Sequence, residues 1–191
     1  MTILVSICAL GFTVGTFWWN NWRQGKLSVD IPRSYSAYQG KDRFLLMLPI
    51  AISNSGPIPI VVSALRLRME LPDNQTAVIP YVKRRPELAP SGKNEPVFAT
   101  NFTVKPRDAS IMFCEFHRDR VAPLKAGHNS VKVEALAAGG GRWQQIGDFE
   151  LHVSEKHERE TMQCYWVVHD NAEALPGLAM EGDYEYPDLG D

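Results

Sequence analysis

The chain has 191 residues, with 20 lysines and arginines against 22 aspartates and glutamates, a formal charge of −2, and three cysteines. That length suits one globular domain with attachments. The near-even charge gives no support to a general polyanion binder.

Residues 3–19, ILVSICALGFTVGTFWW, carry no charge. As a helix they rise about 25 Å, and Asn20, Asn21 and Trp22 extend the element toward the roughly 30 Å that a hydrocarbon layer requires. Trp18, Trp19 and Trp22 then fall at headgroup level, with Arg23 and Lys26 just beyond, the order expected where an apolar helix leaves a bilayer. A basic leading region is missing, and no small-x-small cleavage signal precedes the bulky tryptophans, so the segment is expected to stay as an anchor. Only the α-amino group precedes it, whereas Arg23, Lys26, Arg33, Lys41 and Arg43 follow. The charge rule therefore places the main domain in the cytoplasm, with an extracytoplasmic domain as the alternative. Gly11 and Gly15 form a GxxxG pair through which a second membrane helix can approach.

Beyond the anchor, KLSVDI reads as a short strand ended by Pro32. In RFLLMLPIAISNSG, Phe44, Leu46, Leu48, Ile50 and Ile52 share one period-2 face, while the other face is too apolar to be fully solvated. Pro49 lacks a ladder donor and predicts a local edge or bulge. Asn54, Ser55, Gly56 and Pro57 supply turn chemistry, and IPIVVSALRLRMEL follows with Leu65, Leu67, Met69 and Leu71 opposite Arg66, Arg68 and Glu70. This pair of runs predicts a hairpin with one face to pack and one charged face for solvent. TAVIPYV, VFATNFTV, ASIMFCEFH, SVKVEALAA, RWQQIGDFELHVSE and MQCYWVVHD read as further strands, with Gly139, Gly140 and Gly141 as a turn. Residues 80–96 read as a solvent loop containing a short strand. The fold class is all-β, an immunoglobulin-like or related Greek-key β-sandwich behind one transmembrane helix. Its expected divisions are an anchor over 1–23, a sandwich over 24–170 and an acidic tail over 171–191.

No motif carries recognisable chemistry. His117, His128, His152, His157 and His169 make no short ligand pair, and HERE at 157–160 lacks the second histidine of a helical zinc site, so no metal or other cofactor is expected. Cys114 and His117 lie an odd number of positions apart on a strand, which points them to opposite faces. No serine stands in a nucleophile elbow. Cys8 lies in the apolar span, which leaves Cys114 and Cys164 as a disulfide pair only if the domain is extracytoplasmic. The two Asn-x-Thr signals, at Asn74 and Asn101, matter under the same condition. Lys83, Arg84 and Arg85, with Arg107, His117, Arg118 and Arg120, form basic runs without base-reading or stacking groups, and nucleic acid is not an expected partner.

The order of an N-terminal span, tryptophans, RQGKLSVDIPRSY, LPIAISNSGPIPIVVSALRLRM and IGDFELHVS resembles small bacterial single-pass membrane proteins with an immunoglobulin-like extramembrane domain. The resemblance covers nearly the whole chain and implies an inner-membrane location. It transfers no catalytic residue, cofactor or named partner. The leading expectation is thus a membrane-anchored, non-enzymatic interaction or scaffold module, with the bilayer and either a protein partner or a second copy as its contacts. The alternative is an extracytoplasmic enzyme accessory or hydrolase whose site is assembled from sandwich loops.

Overall fold

The computed structural model describes residues 2–23, 25–40, 43–70, 76–88, 95–119, 124–163 and 167–171. Helix α1, Thr2–Asn21, is exposed along its whole length and is long and apolar enough to cross a membrane. Among the described residues eleven strands follow as one sheet: β1 Leu27–Val29, β2 Ser34–Gln39, β3 Arg43–Asn54, β4 Ile60–Glu70, β5 Thr76–Arg85, β6 Val97–Phe98, β7 Phe102–Val104, β8 Ala109–Asp119, β9 Gly127–Ala137, β10 Trp143–Val153 and β11 Val167–Asp170. A second helix, α2 Glu155–Gln163, precedes β11.

The strand order β10-β9-β4-β5-β8-β3-β2-β11 runs through β5, which belongs to both halves. Arg66 to Glu70 of β4 pair with the first part of β5, and Phe113 to Phe116 of β8 pair with its second part. A bulge between Tyr81 and Lys83 marks the change, and bulges raise the local twist that lets one strand turn such a corner. The sheet therefore curls into an open half-barrel around one core, where the alternating sequence pattern predicted two layers of a sandwich. Phe44, Leu46, Leu48, Ile50 and Ile52 of β3 face Leu65, Leu67 and Met69 of β4 and Val131, Val133, Phe149, Leu151 and Val153 of the β9–β10 hairpin in that core.

The predicted β3–β4 hairpin does not form. Among the described residues β3 pairs with β1, β2 and β8, whereas β4 pairs with β5, β7 and β9. The Asn54 turn reverses the chain but carries it from one half of the curl to the other. Pro49 sits opposite Phe113 in an unbroken register, and the β2 and β1 ladders on the other side of β3 stop at Met47 and resume at Ile52, so it occupies a local edge without a bulge. The non-core face of β3 is apolar for a reason: Leu45 and Met47 are buried as well.

Three further readings are corrected. VFATNFTV is two strands, β6 on β5 and β7 on β4. The TAVIPYV strand runs on through residues 83–85, read as part of the solvent loop. Met162 and Gln163, read as the start of the strand MQCYWVVHD, end helix α2 instead; at its start the Ser154 hydroxyl accepts from the His157 amide at 3.1 Å, and Glu155 and Glu158 occupy the first turn, where acids suit the helix dipole.

The two outer strands of the curl, β10 and β11, are joined by side chains. Asn171 is fully buried; its Nδ2 donates to the Pro32 and Glu150 carbonyls at 3.0 and 3.1 Å, and its Oδ1 accepts from the His152 amide at 2.9 Å. The Tyr35 hydroxyl on β2 donates to the His152 carbonyl at 3.0 Å.

Candidate functional site

The second half of β5, β6 and the start of β8 border a groove of about 520 Å³, lined by Tyr81, Arg84, Phe98, Phe102, Ile111 and Met112 among others. Met112 belongs to the core face of β8, so Ile111 on the next position points out. Val97, Phe98 and Ile111 are 61%, 71% and 68% exposed, an apolar lip on a strand edge. Lys83 Nζ stands 5.6 Å from the Phe98 ring centroid. Arg84 is exposed, whereas Arg85 is bonded to buried Glu115 through its Nε. Burial pushes the Tyr81 hydroxyl up to about 12, so the groove wall presents a neutral phenol.

The charged groups of the predicted solvent face of β4 are engaged in the sheet. Glu134 takes Arg66 Nε at 2.5 Å and Arg68 Nη1 at 3.2 Å, and Lys132 Nζ reaches Glu70 at 2.7 Å. The β4 arginines thus form cross-strand pairs with β9 on the outer face, and Arg66 also lies 4.1 Å over the Trp143 ring. Cys114 is buried in the core, which raises its thiol pKa and leaves it unsuited to nucleophilic work; Cys164 lies outside the described residues. Gly11 and Gly15 leave an open helix surface, since a Cβ at either would meet nothing within 4 Å. Trp18, Trp19 and Trp22 are exposed, Arg23 lies 4.3 Å over the Trp19 ring, and Lys26 is exposed just beyond.

Sequence spacing gave no warning that four of the five histidines stand in two close pairs. His157 on α2 lies 4.2 Å from His169 on β11, between ring centroids; Tyr35 lies 5.1 Å from His169; and His128 and His152 are 5.2 Å apart. His128 and His152 are cross-strand partners in the β9–β10 hairpin, whereas His157 and His169 meet between the consecutive elements α2 and β11. No group of three or more metal-ligating side chains occurs among the described residues.

His169 is buried, and burial first, then the neighbouring His157, lowers its pKa from the ordinary 6.5 to about 4. Between those values the unfolded chain binds the proton and the folded chain does not, so the stabilising contribution is present above pH 6.5 and is lost as pH falls toward 4. The expected loss is on the order of 2 kcal/mol, reduced from the full shift by solvent screening. Urea midpoints measured from pH 7 to 4 should fall, and His169→Phe should flatten the profile; an equally steep profile in the variant would assign the loss to other groups.

No family model matches the chain, and no curated protein matches it. Among solved structures, a crystal structure of a protein from Archaeoglobus fulgidus is similar at a TM-score of 0.37 and 11% identity, covering 75% of this chain and 97% of that one. A likeness of that size carries no argument about function. The fold and groove define a small β protein, a curled open sheet behind one apolar helix of membrane-spanning length.

Proposed function

We propose that the protein is a single-pass, membrane-anchored and non-enzymatic interaction module whose contact site is the β5–β6–β8 groove. The observation that carries this reading is the apolar lip of Val97, Phe98 and Ile111, exposed around a concave surface beside the Arg84 guanidinium. Such a surface fits an extended protein segment that offers apolar side chains to the lip and a carboxylate to Arg84. Phe98→Asp/Ile111→Asp should reduce crosslinked partner recovered from native membranes by about tenfold. Because both positions are exposed, the unfolding free energy should stay within about 0.5 kcal/mol of the parent. Undiminished recovery would place the contact elsewhere.

The basic residues after the span support a cytoplasmic domain at a bacterial inner membrane. A Thr76→Cys probe, in a chain lacking the native cysteines, should react with a membrane-impermeant reagent only after cells are permeabilised. Reaction in intact cells would reverse the topology.

A further inference from the structure

The end of the domain nearest α1 has a construction that the groove does not explain. Arg107 Nη2 donates to both the carbonyl and the Oδ1 of Asn20 at 3.2 Å, while its backbone amide donates to the Gly56 carbonyl at 3.0 Å. Arg107 does this at φ 51°, in the left-handed region that favours glycine. The Ser55 hydroxyl and amide bond to the backbone of Lys26, and Arg23 Nη2 lies 3.4 Å from the Ser55 carbonyl. Gly25 is fixed by close approach, since a Cβ there would lie 2.4 Å from the Gly56 nitrogen. The β3–β4 turn and the β7–β8 turn are thereby held against the last turn of the helix.

That end is cationic. Lys26, Lys105, Arg107 and Arg142 are exposed on it, and none has a carboxylate partner among the described residues. Arg142 belongs there because its turn bonds through Ala138 to Val61 at the start of β4. Asp108, the acid in the same turn as Arg107, is turned onto the Ala109 amide at 2.8 Å. Among these charges Ile58 projects, 40% exposed, from a loop pinned by Asn54, whose Nδ2 donates to the Ile58 carbonyl at 2.8 Å. An apolar tip on the same end as exposed cations without carboxylate partners is the pattern of a surface that enters the headgroup layer of an anionic membrane.

We infer that this end of the domain is a lipid-docking face: Ile58 enters the interface of the leaflet from which α1 emerges, and Lys26, Lys105, Arg107 and Arg142 bind anionic phospholipid headgroups. The inference rests on α1 spanning the bilayer, and it is independent of the groove. It gives the domain a fixed seat on the membrane instead of leaving it free on a tether.

The test uses full-length protein, freed of native cysteines, in vesicles of phosphatidylcholine alone or with about 30 mol% phosphatidylglycerol, a content that gives an anionic surface. A fluorophore at Ile58→Cys should be quenched by headgroup-level spin-labelled lipid at least about threefold more in the anionic vesicles. Lys26→Glu/Lys105→Glu/Arg142→Glu should return it to the phosphatidylcholine level, and a Thr76→Cys probe should stay unquenched in both. A Phe12→Cys probe reads the span separately, by quenching from deep acyl-chain labels. Loss of that signal would overturn the membrane reading and the inference with it. A quenched Phe12 probe beside an Ile58 probe that ignores lipid charge would overturn the docking face alone. Shielding of Ile58 in native membranes but not in anionic vesicles would assign the face to a protein and also overturn it.

Discussion

Asn171→Ala is expected to lower the unfolding free energy of the full-length protein in detergent by about 3 kcal/mol, because one buried amide makes three hydrogen bonds to backbone groups of separate segments. The substitution removes the donor to the Pro32 and Glu150 carbonyls and the acceptor of the His152 amide at once. These groups lie on different sides of the seam between β10 and the chain entering β2, so the variant also loosens the curl. Asn171→Asp should be nearly as damaging at neutral pH, since a carboxylate would face two carbonyl oxygens in place of the Nδ2 donor. Urea unfolding followed by tryptophan fluorescence reads both effects. A change below about 0.5 kcal/mol, the scale of an ordinary surface substitution, would show that core packing alone closes the sheet.

Asn171 also marks the boundary of what could be read from sequence. Local spacing specifies which way a side chain points, and the buried faces of β3, β4 and β10 match the alternation of Phe44 to Ile52, Leu65 to Met69 and Phe149 to Val153. Spacing does not specify a strand's neighbour. The Asn54 turn carries the residues of a hairpin connection, yet Asn54 spends its side chain on the Gly56 amide and the Ile58 carbonyl while β3 and β4 take different partners. Helix α2 was hidden by its polar composition and its short length between two strand-like runs, although Ser154 and the acids after it were a readable start signal.

The groove was less legible still. Lys83, Arg84 and Arg85 read as a solvated basic loop because nothing nearby in sequence signals a partner. On β5 they alternate, one exposed arginine beside the groove and one arginine drawn onto Glu115, thirty positions away in sequence. The exposure of Phe98 and Ile111 was likewise invisible, since both lie in segments whose composition predicts packed strands. The tryptophans and the basic residues after the span were readable, but the Arg107 to Asn20 bonds that turn a cationic tether into a cationic face come from a long-range contact.

The second large effect is expected at that ion pair. Glu115 is 4% exposed, and Arg85 Nε is its described hydrogen-bond donor. Arg85→Met keeps most of the apolar stem but leaves a buried carboxylate without its charge partner, a loss that costs about 3–5 kcal/mol in comparable buried pairs. Glu115→Leu alone should cost less, because Arg85, 15% exposed at its side chain, retains access to water. The double variant Arg85→Met/Glu115→Leu removes both desolvated charges and should return to within about 1 kcal/mol of the parent. A double-mutant cycle on urea unfolding measures the coupling directly. Additive single effects would mean that solvent, and not the arginine, satisfies Glu115. The same double variant separates architecture from recognition at the groove: with Val97, Phe98, Ile111 and Arg84 unchanged, partner recovery should persist once stability is restored. Its loss in a stably folded double variant would make the Arg85–Glu115 pair part of the contact surface itself.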